Sequence, residues 1–375
     1  MRIAVVVGTR PEIIKMAPVC WELDRRRADY FILHTGQHYD FNMDRVFFQE
    51  LGVKEPAVNL GVGSGTHGET TGKMLAGIEK TLLEMGPDVV LVNGDTNTTL
   101  AGAVAAAKLH ILVGHVEAGL RNYDRRMPEE YNRIVADHVS DYLFAPSKLT
   151  LNNLREEGIS KGTHYLYFGG FERPRIYLTG NTIVDAIRRI MKRIDATRTI
   201  SKLGLAKNGY FYLTIHREEN VDHRERLLAI LKGLQRVSNE HRVPIVFPIH
   251  PRTRKRVQQF GLSDEVKRVD GLRLVEPGGY IPHLALESSA RLVLTDSGGM
   301  QEETCTLRVP AVVIREVTDR PEGVAVGATM LTGLDPRRMP RVVKTMVERA
   351  RDWENPYGDG RAARRIVRIL LTRSS

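Results

Sequence analysis

Cysteine is nearly absent from this chain of 375 residues: Cys20 and Cys305 are the only two. That is too few for a disulfide framework, and a reducing cytoplasmic setting is expected. Aromatics make up only 6% of the residues. No run of about 18 apolar residues occurs, so no membrane-spanning helix is expected. The first apolar stretch, Ile3–Val7, is cut off by Arg10, Glu12 and Lys15, which argues against a signal peptide. Repeats at solenoid periods and low-complexity tracts are also missing. Neither Gly61-Val62-Gly63-Ser64-Gly65 nor Gly68-Glu69-Thr70-Thr71-Gly72-Lys73 has the context or spacing of a dinucleotide fingerprint or P-loop. Both read as loop and helix-cap chemistry.

Hydrophobic residues form 42% and charged residues 27% of the chain, as in soluble globular proteins. The length predicts two or three domains. Net charge is +10, but the basic residues are scattered and accompany no nucleic-acid-binding motif. A basic enzyme acting on anionic substrates is the simpler reading. Near the C-terminus, Ala362, Ile366, Val367, Ile369 and Leu370 stand among five arginines. Such a helix can lie on a membrane surface; we read it as a last helix packing back on the protein.

Short Val/Ile-rich runs alternate with helical patterns. They are Ile3–Val7, Tyr30–His34, Val89–Val92, Ile111–Val116, Tyr142–Ala145, Ile176–Thr179, Phe211–Ile215, Ile245–Ile249, Leu292–Thr295 and Ala311–Ile314. Continuous apolar runs predict strands covered on both faces, hence an α/β protein with parallel sheets. Ligands gather at the carboxyl ends of such strands, where Gly8, Asp95, Glu117, His216, His250 and Asp296 fall. The break between halves is expected within 158–180. The glycine- and aromatic-rich stretch 162–175 reads as a loop or hairpin beside the hinge.

Several strand ends carry chemistry. Gly8-Thr9-Arg10-Pro11 is a strand-to-helix turn whose N–H groups suit an anion, with Arg10 able to add phosphate contacts. Asp95 follows the Val89–Val92 strand and can cap the next helix or act as an acid/base. His115 and Glu117 are placed on one face by period two, and a His-x-Glu pair can also ligate metal, although no third ligand accompanies it. Glu129 and Glu130 open a helix after Pro128, where the dipole favours acids whatever their function. Ser297-Gly298-Gly299 begins a helix that can cradle a phosphate, with Glu303 one turn in. Because a helix dipole contributes only about 0.3–1 kcal/mol per charge, diphosphate binding needs cations, and Arg10, Lys15 and Arg320 are candidates. Acids in one half and an anion cradle in the other suit a sugar attached to a nucleoside diphosphate.

The ordered motifs GTRPEIIK (8–15), TGQH (35–38), NGDTNT (93–98), HVEAGLR (115–121), MPEEYNR (127–133), GNTIVD (180–185), HREENVD (216–222), TDSGGMQEE (295–303) and RPEG (320–323) run almost end to end. With them the chain resembles the non-hydrolysing UDP-N-acetylglucosamine 2-epimerases. The resemblance implies a glycosyltransferase-B-like fold, two Rossmann-like domains facing across a cleft. Residues 1–170 would form the first, 176–354 the second, and the helix in 355–375 would return to the first. It implies interconversion of UDP-GlcNAc and UDP-ManNAc through 2-acetamidoglucal for surface polysaccharide or glycan synthesis. No metal or nicotinamide cofactor, nucleic acid or membrane is implied, and a cytoplasmic homodimer is.

By the same resemblance, Asp95, Glu117 and Glu129 are the acid/base carboxylates. His216 and Arg10 face the diphosphate, and Lys15 neutralises charge. Ser297, Gly298 and Gly299 bind phosphate, Glu303 holds the ribose, and Arg320 lies near sugar or phosphate. His283 stands where some relatives place an aromatic residue against uracil. Gln37 and His38 match a region that is regulatory in bacterial relatives. Other readings are a hydrolysing epimerase, a glycosyltransferase of the same fold, and a sugar-nucleotide-binding regulator.

Overall fold

The structure, a computed structural model, describes residues 1–36, 41–159 and 175–372. Gln37, His38 and nearly all of the 162–175 stretch lie outside the described residues. The chain divides into two compact units, Met1–Arg188 with Tyr357–Ser375, and Arg189–Pro356.

The first unit runs β1 (Arg2–Val7), α1 (Arg10–Arg25), β2 (Asp29–His34), α2 (Phe41–Leu51), β3 (Val58–Asn59), α3 (His67–Met85), β4 (Val89–Asn93) and α4 (Asn97–Lys108). It continues through β5 (Leu112–Val116), α5 (Pro128–Val139), β6 (Tyr142–Ala145), α6 (Lys148–Glu156), β7 (Arg175–Leu178) and α7 (Thr182–Met191). Its sheet is ordered β3-β2-β1-β4-β5-β6-β7, and every pairing is parallel. The strand order reverses between β1 and β4, which makes their carboxyl ends the ligand-binding position of a doubly wound sheet. Ala4, Val6, Val90, Val92 and Val113 pack against Met74, Ile78 and Leu82 of α3, Ala101 and Ala105 of α4, and Ala136 of α5. Burial on both faces explains why these strands read as unbroken apolar runs.

The second unit follows with α8 (Ala196–Ser201), β8 (Phe211–Thr214), α9 (Glu218–Val221), α10 (Arg224–His241), β9 (Ile245–Pro248), α11 (Pro251–Gln259), α12 (Ser263–Lys267), β10 (Leu272–Val275) and α13 (Tyr280–Ser289). It ends with β11 (Leu292–Thr295), α14 (Gly298–Leu307), β12 (Ala311–Val313), α15 (Pro321–Ala325), β13 (Thr329–Leu331) and α16 (Arg338–Val347). Its parallel sheet is ordered β10-β9-β8-β11-β12-β13, so here the reversal lies between β8 and β11. One face packs Leu213, Phe247 and Leu294 on Leu231 and Leu234 of α10 and Val343 of α16. The other packs Tyr212, Val246 and Val293 on Ile200, Leu286 and Met300.

The boundary differs from the expected one. Ile176–Thr179, expected to open the second domain, is the seventh strand of the first sheet, paired with β6. The division falls inside α7, about a dozen residues later than the glycine-rich stretch suggested, because sheet pairing holds β7 to the first unit. The final helix α17 (Ala362–Leu371) packs on α1, burying Ile366, Val367 and Leu370. Asp185 of α7 caps it, accepting the N–H groups of Ala362 and Ala363, each at 3.1 Å. Among the described residues, no helix is long and apolar enough to cross a membrane.

Burial pushes the Asp185 carboxyl up to about 6, against the pull of those two N–H groups. A carboxyl whose folded pKa is raised binds its proton more tightly when native. The stability it contributes is therefore complete below pH about 4 and lost as pH rises through about 6. Urea unfolding of the protein and of Asp185→Asn across pH 4–7 checks this. The stability of the parent relative to the variant is expected to fall across that window; a constant difference would refute the assignment.

Candidate active site

Gly8 leaves β1 where no side chain fits, since a Cβ there would lie 2.2 Å from the hydroxyls of both Thr35 and Thr98. The turn is locked by Glu12, which accepts the N–H groups of Gly8 and Thr9, each at 2.8 Å, and the Thr96 hydroxyl at 2.5 Å. Burial raises the Glu12 pKa and these donors pull it back, with burial prevailing. Glu12 thereby ties the end of β1 to the end of β4. The helix starts at Arg10, so Pro11 occupies its second position and not its first. The Arg10 guanidinium lies over the Phe47 ring, 5.2 Å from its centre.

One turn further along α1, the Lys15 ammonium sits 2.6 and 2.7 Å from the two carboxylate oxygens of Glu117. Both side chains are buried. Glu117 has φ +73°, a left-handed conformation that costs a non-glycine residue about 1–3 kcal/mol. The strand alternation stops there. His115 turns to Asp137 of α5 at 2.7 Å, whereas Glu117 turns to Lys15 of α1. The shared face expected from period two is not realised.

The other ring nitrogen of His115 meets the Gly94 carbonyl at 2.8 Å. With both nitrogens taken, His115 is unavailable to a metal. Burial works to raise the Asp137 pKa, but His115 and Arg121 outweigh it and hold the carboxyl below its ordinary value. The same imidazole fixes Gly94 and so the loop carrying Asp95. Registry of Asn93 opposite Val116 brings the two strand ends together, and a Cβ on Gly94 would lie 3.7 Å from a Glu117 oxygen.

Asp95 is half-buried and ion-paired with Arg133 of α5, 2.6 Å away. Arg133 also reaches Glu130 at 2.8 Å, and Glu130 accepts the N–H groups of Asn122 and Tyr123. Glu130 is therefore a brace for the loop before α5. Its neighbour Glu129 is half-buried and makes no hydrogen bond or ion pair among the described residues.

In the second unit, Asp296 at the end of β11 is fully buried. It accepts the N–H groups of His216 and Arg217, at 3.2 and 3.0 Å, and the Asn220 amide at 3.1 Å. The His216 ring nitrogen Nδ1 lies 3.3 Å from the same carboxylate. Burial moves the His216 pKa below its usual value while Asp296 opposes that shift. Ser297 caps α14, whose first N–H groups have no intrahelical partner. The Arg217 guanidinium comes within 3.7 Å of the Cβ position of Gly298 and is unpaired among the described residues, so it supplies a cation at this helix start.

Arg320 is buried and held by Glu302 and by Asp319 at 2.9 Å, so its charge is already matched within the unit, as that of Lys15 is in the first. Glu303 accepts the Tyr280 hydroxyl at 2.9 Å. His283 meets the Tyr212 hydroxyl through Nδ1 at 2.5 Å; burial, with the His216 charge adding, takes its pKa down to about 4. Its ring is therefore neutral at neutral pH.

The family model for UDP-N-acetylglucosamine 2-epimerase matches residues 22–371. The chain belongs to that family. It is 48% identical over 373 residues to the UDP-N-acetylglucosamine 2-epimerase of Methanocaldococcus jannaschii, with 99% of each chain covered. A crystal structure of the enzyme from that organism, in complex with UDP-GlcNAc and UDP, is similar at TM-score 0.90 and 47% identity, covering 99% of this chain and 100% of that one. A spinosyn rhamnosyltransferase shares the fold alone, at TM-score 0.52 and 13% identity over 99% of this chain and 96% of the other. The architecture is thus two parallel-sheet α/β domains of glycosyltransferase-B type.

Within this family member the first unit gathers Lys15, Asp95 and Glu117 at one pair of strand ends. The second gathers His216, Ser297, Gly298 and Gly299 at another. Arg217 was missed by sequence reasoning, and Asp296, although placed at a strand end, was given no role. A lone Asp before Ser-Gly-Gly looks like a cap, and Arg217 is one of four charged residues in a run of seven, His216–Asp222. The signal that could have found Arg217 is its place just past the end of β8, beside β11, where the strand order reverses.

Two outcomes follow from this geometry. Glu130→Gln is expected to lower unfolding stability by about 1–3 kcal/mol, and Glu129→Gln to stay within about 0.5 kcal/mol; chemical denaturation checks both. Arg217→Ala is expected to weaken binding of inorganic pyrophosphate by about 10–100-fold, the size of a charge-assisted hydrogen bond, with an unchanged melting curve. Calorimetric titration measures it.

Proposed function

We propose that the protein interconverts UDP-GlcNAc and UDP-ManNAc without hydrolysis, by eliminating UDP and adding it back. The observation that carries the chemistry is the pairing of Asp95 and Glu117 at adjacent strand ends, beside the neutralising Lys15. Family membership supplies the substrate.

The C2 proton of GlcNAc is not adjacent to a carbonyl, so its removal alone would leave an unstabilised carbanion. Breaking the C1–O bond as the proton leaves avoids this. One carboxylate takes the proton, the electron pair becomes the C1–C2 double bond of 2-acetamidoglucal, and UDP departs. A carboxylic acid then returns a proton to C2 from the opposite face as the UDP oxygen re-forms its bond to C1. No step of this route transfers a hydride, so it calls for no nicotinamide. Asp95, Glu117 and Glu129 are the candidates for the proton transfers, each worth about 10²–10⁴-fold.

In this reading the second unit grips the nucleotide. The start of α14, with Arg217 and His216, meets the diphosphate, Glu303 the ribose and His283 the uracil. Charge developing on the departing diphosphate is met by preorganised donors, the largest contribution in such sites. The product would feed surface polysaccharide or glycan synthesis.

The test is incubation with UDP-GlcNAc in heavy water, followed by NMR. UDP-ManNAc deuterated at C2 is expected. Free ManNAc would assign hydrolysis instead, and a sugar unchanged until an acceptor is added would assign transfer. Asp95→Asn and Glu117→Gln are each expected to cut turnover by at least ~10²-fold with UDP binding retained.

A further inference from the structure

Glu287 is fully buried in α13, and as a carboxylate neither of its oxygens has a hydrogen-bond donor. It lies one turn after His283, whose Nε2 is 4.0 Å away. The same nitrogen is 4.0 Å from Glu303 of α14, and oxygens of both acids with that nitrogen lie within 4.8 Å of one another. Tyr212 of β8 and Tyr280 of α13 complete the group, the first on His283 and the second on Glu303. A carboxylate here would stand desolvated beside a second one and a neutral imidazole. That arrangement costs several kcal/mol unless one acid keeps its proton. As a carboxylic acid, Glu287 gains a donor, and Glu303 is the acceptor it faces. Burial and the Glu303 charge both raise its pKa well above the ordinary carboxylate value.

We propose that Glu287 is a protonated positioning residue: its carboxylic acid donates to Glu303 and, with the Tyr280 hydroxyl, aims the Glu303 carboxylate at the ribose diol of the nucleotide. The proposal rests on the reading of Glu303 as the ribose-binding group. Glu287 touches no substrate in this account. It neutralises half of the acid pair. Discrimination between ribose and 2′-deoxyribose then depends on a residue behind the pocket wall, because a site built to hydrogen-bond a hydroxyl penalises the analogue lacking it.

Three measurements on the full chain test this. Infrared spectroscopy is expected to show a protonated carboxyl C=O band, shifted in heavy water and lost in Glu287→Gln. Kinetics with UDP-GlcNAc and its 2′-deoxyuridine analogue are expected to separate the substitutions. Glu287→Gln, which retains a donor, should keep KM within about threefold, whereas Glu287→Met should raise KM for UDP-GlcNAc about tenfold, one hydrogen bond's worth. In Glu287→Met the ribose preference should fall by the same factor with kcat nearly unchanged. A folded Glu287→Met with parental KM and ribose preference would overturn the proposal, as would a missing acid band. One equivalent of bound metal, lost in Glu287→Gln, would overturn it in favour of a metal site at His283, Glu287 and Glu303. Should Glu287→Met not fold, the infrared band and Glu287→Gln still decide. Failure of the ribose reading itself shows separately, as Glu303→Gln leaving the ribose preference intact while the acid band persists.

Discussion

The buried ion pair of Lys15 and Glu117 is the interaction on which the first unit's site depends. Taking either charge out of water alone would cost several kcal/mol. The pair therefore fixes α1 against the end of β5 and sustains the left-handed backbone at Glu117. The same requirement sorts the other acids. Glu12, Glu130, Asp137 and Asp296 are saturated by donors or cations, and they hold loops in place. Asp95 is ion-paired with Arg133, and Glu129 is half-exposed with no partner among the described residues.

Both units obey one geometric rule. Each sheet reverses its strand order once, between β1 and β4 in the first and between β8 and β11 in the second, and at that point helices leave in opposite directions and open the strand ends. His115 with Asp137, and Asp296 with the backbone at His216, are the struts that make each opening rigid. They lie one hydrogen bond behind the residues proposed to meet substrate. Rigid support of this kind keeps acid/base groups and anion donors from reorganising during reaction.

The two ends of the molecule's chemistry differ in how charge is handled. In the first unit, carboxylates are matched by Lys15 and Arg133. In the second, Asp319 and Glu302 take up Arg320, and His283 is neutral, which leaves Glu287 and Glu303 with a shared proton as the least costly arrangement. Arg217 is then the cation at the phosphate-competent helix start.

Ten strands were legible as apolar runs: nine have mostly buried residues, and β7 is a half-exposed edge strand that still carries such a run. β3, β10 and β13 were not, being edge strands that are short or half-exposed and carry no such run. The placement of β7 was misread because local composition marks a loop, whereas pairing with β6 decides which sheet a strand joins. Among the acids, sequence alone determined that carboxylates and an anion-binding helix start stand at strand ends, since periodicity and turn residues are local properties of the chain. Only the tertiary structure decided which partner each of those acids meets. That Glu130 is a brace and Glu129 is not, that Glu117 turns away from His115, and that Glu287 sits behind Glu303 all depend on partners 3 to 102 residues away, and the cost of burying a charge is set by whichever partner the fold brings to it.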